Sequence, residues 1–300
     1  MSIFKFGPII RKRREELGYT QEDLADGICS VTTLSRIENG ERIPTQNHLE
    51  MLLQRIGYSN VMFDSYTNEN DFLAHELKFR IRQANIEGNT ELAKELLQRF
   101  ERLSSKPTQI DQQFLLLQKV QLFPEQYSDE EKLVQLENAI QLTHPNYMQG
   151  KVPFLLSYEE ILLLNNIAIG YANCGRPKEA IDILYGVTNY YDSCIVNTEE
   201  ALRTKPMTLY NLSKILGMEN RFNECIAICD KGIRLAQRTG RCQCFPHMLY
   251  NKAWALMKRN YPEDLQEAKM LAHRALNVSI AMEIVPFADH CKRFIEINEL

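Results

Sequence analysis

The sequence predicts an all-α protein in which four short helices precede a longer array of paired helices. Apolar residues recur at the three- and four-residue spacing of helices along most of the chain. Similar segments return every 40 to 47 residues in the later part of the chain, as expected for stacked helical hairpins. Alternating β-branched runs, which would indicate strands, are absent, and Gly and Pro lie between the predicted helices.

The length of the chain suggests two folded domains, and its net charge gives no overall sign of a nucleic-acid partner. The 300 residues are 44% hydrophobic and carry a formal net charge of −4. Residues 1–63 contain eight basic and eight acidic side chains, so any case for nucleic acid must rest on their local arrangement. No signal peptide is recognisable, and no apolar run approaches the ~18 residues of a membrane span. We therefore expect a cytoplasmic protein with reduced cysteines and no membrane contact.

Helix start and stop signals divide the first sixty residues into four helices. Thr20, Ser30 and Thr45 stand at expected N-caps, where a hydroxyl accepts a hydrogen bond from a backbone N–H of the first turn. Gly18 and Asn39-Gly40 end the first and third helices. The apolar faces predicted for the four helices are Phe6, Ile10 and Leu17, then Leu24, Ala25 and Ile28, then Leu34 and Ile37, then Leu49, Leu52, Leu53 and Ile56.

This pattern resembles the helix-turn-helix of Cro and phage-repressor proteins. The resemblance is carried by "TQEDLA", by "LSRIENG" and by Pro44 just before the fourth helix. The small Ala25 fits a tight turn at which two helices cross closely. The chain departs from phage repressors in one respect: the stretch between Ala25 and Ile37 is one residue shorter, and Cys29 stands where a turn Gly is usual.

The resemblance implies that the third helix lies in the major groove of DNA with its early residues facing base edges. We predict DNA contacts by Gln21, Val31, Thr32, Thr33, Ser35, Arg36 and Arg42. Arg36 can bind O6 and N7 of guanine together, and Val31 and the threonine methyls can contact a thymine methyl. Gln21 and Arg42 are expected at phosphates. The alternative for these residues is a merely solvated helix face. For Arg11–Arg14, an exposed helix face and contact with phosphates are equally open.

A polar, Asn-rich stretch follows, so we predict a DNA-binding domain over 1–63, a linker over 64–70 and a repeat domain over 71–300. The second helices of five predicted hairpins align at residues spaced 40, 47, 45 and 43 apart, which are Phe100, Ile140, Val187, Gly232 and Ala275. This period predicts an α-solenoid of about five hairpins, with the last helix pair capping the end.

The third repeat is the clearest one. Its sequence, "LLNNIAIGYANCGRPKEAIDILYGV", resembles a tetratricopeptide repeat, because Ala168, Tyr171, Gly175, Ala180 and Leu184 follow that repeat's pattern of small and large residues. Small residues let paired helices approach each other, and Tyr171 fills the space between pairs. The fold class predicted for the whole chain is therefore an N-terminal helix-turn-helix domain followed by tetratricopeptide-like hairpins.

Three asparagines occupy one position of three successive first helices: Asn166, Asn211 and Asn251. An Asn side chain can bond both the N–H and the C=O of one peptide unit, so such a row could hold an extended peptide. The expected peptide-binding residues are Asn165, Asn166, Ile169, Met207, Tyr210, Asn211, Lys214, His247, Tyr250, Asn251 and Trp254. The alternative is that these asparagines are ordinary helix-surface residues or tie helices together.

Taken whole, the chain resembles the Rgg/PlcR-type peptide-responsive regulators, also called RRNPP. The resemblance implies a quorum-sensing transcription regulator that binds a double-stranded DNA operator as a homodimer and is controlled by a short signalling peptide on the concave face of its repeats. Two alternatives remain. The repeat domain could be a protein-docking scaffold, or the chain could regulate a phosphatase or kinase without DNA.

No cofactor, metal or catalytic site is predicted. Cys225, Cys229, Cys242 and Cys244 could offer four thiolates to zinc, but Cys-x-Cys is not a usual zinc spacing and the first two fall on buried repeat positions. There is no glycine-rich phosphate loop, no G-x-S-x-G and no H-E-x-x-H. We therefore expect that the chain is not an enzyme.

Overall fold

The computed structural model describes residues 7–57, 69–103, 107–147, 151–153, 155–193 and 199–299. Phe6 and the part of the predicted linker up to residue 68 lie outside the described residues, so the predicted division at 63 and 71 stays a prediction. The described residues form fifteen α-helices and no strand, which confirms the all-α class.

Four short helices come first, as the caps predict: α1 (Gly7–Glu16), α2 (Gln21–Ala25), α3 (Val31–Glu38) and α4 (Gln46–Arg55). The remaining helices are α5 (Glu69–Ile86), α6 (Thr90–Leu103), α7 (Gln109–Leu122), α8 (Asp129–Gln141), α9 (Tyr158–Asn173), α10 (Pro177–Ser193), α11 (Glu199–Met218), α12 (Phe222–Thr239), α13 (Phe245–Arg259), α14 (Asp264–Ala281) and α15 (Val285–Ile297). The chain divides into two compact units, and the boundary falls inside α9 between Gly170 and Tyr171.

The predicted N-caps of the first unit are confirmed. Thr20 Oγ1 accepts a hydrogen bond from Asp23 N at 3.0 Å, and Ser30 Oγ accepts one from Thr33 N at 3.1 Å. These caps fix the start of α2 and α3 and hence the side that each helix buries. The resulting core contains the predicted apolar residues Ile10, Leu24, Ala25, Ile28, Leu34, Ile37, Leu49, Leu52, Leu53 and Ile56.

A buried ion cluster joins α4 to the start of α9. Arg55 Nη2 donates to Glu160 Oε1 at 3.1 Å, and neither side chain is exposed to solvent. His144 Nε2 lies 3.0 Å from the same oxygen of Glu160. The Arg55 guanidinium also donates to the backbone oxygens of Leu24 and Asp26, so it is bound from several sides. Breaking one partner of such a pair would leave a buried charge uncompensated.

A second contact of the same kind lies at α7. Lys78 Nζ is 2.7 Å from Asp111 Oδ1, and the Asn47 side chain donates to the same Asp111 oxygen at 3.3 Å. Gly27, in the turn after α2, packs so closely on Thr143 that an added Cβ would lie 1.1 Å from the Thr143 carbonyl oxygen. Helix α4 therefore contacts α7, and the turn after α2 packs against the residues between α8 and α9.

The five positions aligned from sequence are all buried. Phe100, Ile140, Val187 and Ala275 are all 4% exposed or less, and Gly232 is buried as well. Within the first unit α5 packs on α6 and α7 on α8, and within the second α13 packs on α14. The last hairpin, α13 with α14, is followed by a single helix, α15, which packs on α14, and a capping role for this end stays a prediction.

Candidate nucleic-acid interface and ligand pocket

The outward face of α3 carries the residues predicted to contact DNA. Leu34 and Ile37 point into the core and are 0% and 1% exposed. Val31, Thr32 and Arg36 are exposed, whereas Thr33 and Ser35, also in the predicted set, are half-buried. The burial pattern therefore leaves one side of α3, with Val31, Thr32 and Arg36, exposed, and contact of this side with DNA stays a prediction.

Two arginines border this face. Arg36 makes no ion pair with any described residue, so its guanidinium is not committed to a carboxylate of this chain. Arg42 Nη1 donates to Thr33 Oγ1 at 3.2 Å, which holds Arg42 beside the start of α3. The two cations therefore stand on the same side as the exposed residues of α3.

Gln21 is positioned by a buried carboxylate that the sequence reading missed. Its Nε2 donates to Glu38 Oε2 at 2.7 Å. Glu38 is 2% exposed and also binds Arg14, which is itself only 8% exposed. The hydrogen bond with Glu38 raises the pKa of Arg14 despite its burial. Neither sequence interpretation of Arg14, as an exposed residue or as a phosphate contact, is correct, because its charge is neutralised inside the domain.

The second unit contains a pocket of about 380 Å³ between α11, α13 and α15. Five of the predicted peptide-binding residues line it: Tyr210, Lys214, Tyr250, Asn251 and Trp254. The other lining residues, which were not predicted, are Ser213, Gly217, Met218, Cys225, Phe287 and His290. We call this cavity the aromatic pocket. The first helices of two successive hairpins therefore contribute to one concavity, with α15 closing it.

Aromatic contacts order the wall of the aromatic pocket. The Tyr250 ring lies 5.7 Å from the Phe287 ring and 4.8 Å from the His290 ring, measured between centroids. Trp254 packs edge-on against Phe222 at 5.9 Å. Burial raises the pKa of Tyr250 to about 12, so its hydroxyl is neutral at physiological pH. These rings therefore form an aromatic surface of the kind that binds apolar ligand groups.

The side chain of Asn251 is fixed by one hydrogen bond, and its oxygen remains available to a ligand. Its Nδ2 donates to Ser213 Oγ at 2.9 Å, which fixes the orientation of the amide beside the pocket. Its side-chain oxygen accepts no hydrogen bond from any described residue. The pocket thus presents an oriented acceptor, which is what a peptide N–H requires.

Three predicted residues of the second unit do not line this pocket. Asn211 is only 8% exposed, and Met207 is half-buried. His247 stacks on Phe287 at 3.9 Å and contacts Tyr210 edge-on at 5.3 Å, and burial lowers the pKa of its imidazole. His247 thus supports two lining residues from behind, and a direct ligand contact by these three side chains stays a prediction.

The other three predicted residues belong to the first unit. Asn165 is 1% exposed and its Nδ2 donates to the Ile161 carbonyl at 2.9 Å. Asn166 Nδ2 donates to the Leu162 carbonyl at 2.8 Å, and its oxygen accepts a bond from Gln121 at 3.4 Å. Ile169 is 38% exposed. Both amides bond a carbonyl of their own helix, and a peptide contact by these three side chains stays a prediction.

A second pocket adjoins the aromatic pocket. It has a volume of about 430 Å³ and shares Tyr250, Trp254 and His290 with it. Its remaining lining residues are Met257, Lys258, Arg293, Phe294, Ile297 and Asn298. We call it the basic pocket, because two cations and no carboxylate line it among the described residues.

The cysteines considered for zinc do not form a site in the described part of the chain. Cys225 and Cys229 are buried in α12, whereas Cys242 is exposed and Cys244 half-buried. No group of three His, Cys, Asp or Glu side chains that could hold a metal ion occurs among the described residues.

The described helices also include none with the length and apolarity needed to cross a membrane.

Comparison with known proteins defines the class of the N-terminal region first. Residues 10–59 match the helix-turn-helix family HTH_3. A segment of 39 residues is 46% identical to the transcriptional activator NprA of Geobacillus stearothermophilus, and covers 13% of this chain and 10% of that protein. The helices α1–α4, whose caps and core were described above, thus form a known DNA-binding motif.

The whole chain has the fold of PlcR and ComR. The crystal structure of Bacillus thuringiensis PlcR in complex with the peptide PapR7 and DNA matches with a TM-score of 0.60 at 18% identity, covering 96% of this chain and 98% of that one. The apo form of the competence regulator ComR from Streptococcus vestibularis matches with a TM-score of 0.54 at 16% identity, covering 99% and 98%. ComR from S. thermophilus in complex with DNA and its signalling peptide ComS gives 0.51 at 18% identity, covering 98% and 99%.

Proposed function

We propose that this protein is a sequence-specific transcriptional regulator that binds a double-stranded DNA operator and is controlled by a short signalling peptide. The observation that carries the proposal is the exposed face of α3, with the unpaired Arg36, inside a matched helix-turn-helix. Arg36 would read a guanine, while Gln21 and Arg42 would bind phosphates. The likeness to PlcR and ComR, both crystallised with DNA and a peptide, supports the same assignment.

The peptide site is proposed at the aromatic pocket of the second unit. Support comes from its size, its aromatic wall and the oriented side-chain oxygen of Asn251. The predicted partners also include a second copy of this chain, because two recognition helices would match an operator with two half-sites. Peptide and DNA binding would be linked, so that each ligand changes the affinity for the other by the same factor. Such a regulator would act in the cytoplasm.

The DNA part is tested by selecting duplexes from a random pool with the full chain and measuring affinity for the selected site. Arg36→Ala should weaken binding by about 1–3 kcal/mol and relax preference at one base pair. Arg274→Ala, an exposed change on α14, is the matched control and should leave the affinity unchanged. Equal binding by Arg36→Ala and the control would contradict the recognition helix.

The peptide part is tested on the same protein. A short peptide that shifts the affinity for the selected duplex should bind less tightly to the variant Asn251→Ala with Trp254→Ala, while DNA binding without peptide survives. If the repeat domain is instead a docking scaffold, no short peptide will change DNA binding and a folded protein partner will be needed. Sedimentation of the full chain with and without the duplex tests the dimer.

A further inference from the structure

We infer that the ligand is an acidic peptide that also carries an aromatic side chain, which seats in the aromatic pocket while a carboxylate binds Lys258 and Arg293 in the basic pocket. This inference rests on the proposed function and specifies the chemistry of its ligand.

The two adjoining pockets are lined by cations and not by carboxylates. Lys214 lines the aromatic pocket, and Lys258 and Arg293 line the basic pocket, whereas no Asp or Glu of the described residues lines either one. The whole chain carries a formal net charge of −4, so this local excess of cations runs against its average. A ligand with a carboxylate would be attracted here and a cationic ligand repelled.

The cations of α13 differ in whether they pair with a carboxylate. On α13, Arg259 Nη2 lies 2.7 Å from Asp264, and Lys252 Nζ lies 2.8 Å from Asp230. Lys258 lies on the same helix but pairs with no carboxylate of the described chain, and its Nζ stands 5.9 Å from the Trp254 ring. The cation that faces the pocket is thus the one left without a counter-ion.

Arg293 also has no ion pair with a carboxylate of the described residues. Its Nε donates to the backbone oxygen of Asp289 at 3.4 Å, and no ion pair with a described carboxylate occupies its guanidinium. The neighbouring Lys292, by contrast, lies 3.7 Å from Asp289. A guanidinium with an ammonium beside the same pocket forms a suitable receptor for a carboxylate, because the guanidinium binds both oxygens.

The adjoining cavity fits the other part of the ligand. Tyr250, Trp254 and Phe287 offer ring faces and edges to a third ring, an arrangement that favours aromatic over aliphatic side chains. Gly217 has no side chain to occupy the space beside Trp254, where an added Cβ would lie 3.1 Å from Trp254 Cζ3. Asn251 can accept the N–H of the peptide unit between the two anchoring side chains.

The test uses the full chain and a pool of synthetic peptides of equal length in four classes: acidic with an aromatic, basic with an aromatic, acidic with aliphatics only, and neutral with an aromatic. Peptides retained by the protein after ultrafiltration are counted by mass spectrometry. The acidic aromatic class should be enriched on the order of 10-fold over the others, and added salt should reduce that enrichment.

Charge reversal locates the site. Lys258→Glu with Arg293→Glu should transfer retention from the acidic to the basic aromatic class. Lys269→Glu with Arg274→Glu, an equal change at exposed positions of α14 outside both pockets, should leave the acidic preference intact. If the unmodified protein retained neutral, basic or aliphatic peptides as well as the acidic aromatic class, the inferred ligand class would be overturned while peptide control stood. Retention of no class at all would overturn peptide control as well.

Discussion

The carboxylate of Glu38 accepts hydrogen bonds from Nε and Nη2 of Arg14 at 2.7 and 2.9 Å. The same carboxylate accepts the bond from Gln21, so one buried group ties α1, α2 and α3 together. The residue proposed to anchor a phosphate is therefore oriented by the charge pair that stabilises the domain.

Glu38→Gln should lower the free energy of unfolding by about 3 kcal/mol, because it removes the buried counter-charge of Arg14 and leaves only the exposed carboxylate of Glu15 at 3.6 Å. Denaturant unfolding of the full chain measures this. The matched control is Glu91→Gln, which removes an ion pair with Lys94 from a side chain 88% exposed, and it should change stability by less than about 1 kcal/mol. Similar losses in both variants would show that the Arg14 pair contributes little.

Glu160 should make the first unit sensitive to acid. Burial alone raises the pKa of its carboxyl, but the Arg55 charge and the hydrogen bond with His144 outweigh burial and hold that pKa well below the ordinary 4.5. Because the folded pKa is depressed, the stabilisation is fully present above about pH 4.5 and is lost as the pH falls further.

Unfolding free energies measured from pH 6 downward should therefore fall less steeply for Glu160→Gln than for the unmodified chain. The variant should also be less stable at neutral pH, where Arg55 loses its partner. Glu91→Gln again serves as the control and should keep the steep acid dependence. A slope unchanged by Glu160→Gln would assign the acid sensitivity to other carboxyl groups.

Gly27→Ala should loosen the contact between the helix-turn-helix and the residues after α8. Gly27 has φ +67° and its added Cβ would lie 1.1 Å from the Thr143 oxygen. Gly18 has φ +74° with nothing within 4 Å, so Gly18→Ala carries the same backbone strain without the collision. Gly18→Ala should cost about 1–2 kcal/mol, and Gly27→Ala clearly more, with faster amide exchange around Thr143.

Gly217→Ala should weaken binding of the best-retained peptide several-fold without unfolding the protein. The new methyl group would stand 3.1 Å from Trp254 Cζ3 and would narrow the aromatic pocket. Gly170→Ala is a control of similar tightness, because its Cβ would lie 3.3 Å from Leu133 Cδ1, outside both pockets. Equal peptide affinity in the two variants would place the aromatic side chain elsewhere.

The fold was predictable because it depends on local signals. Thr20, Ser30 and Thr45 cap the helices that they were expected to cap, and the aligned positions of the repeats are buried. These features follow from helical spacing and from the hydrogen-bonding needs of helix ends, and both can be read within a few residues.

The pocket was only partly predictable because it depends on long-range packing. Tyr250, Asn251 and Trp254 were found through their register in the repeats, but Phe287 and His290 come from α15, whose return to α13 no local pattern specifies. The buried pair of Arg55 and Glu160 was missed for the same reason, since charged residues are usually expected at the surface.

Tyr250, Trp254 and His290 line both pockets. A ligand that fills the two cavities must pass over these shared side chains, so the protein fixes the distance between the ligand's two anchoring groups. Peptides of identical composition but different residue order would then bind differently, according to the spacing of their acidic and aromatic residues. A one-residue insertion between these two residues would abolish binding of a peptide that otherwise fits both pockets.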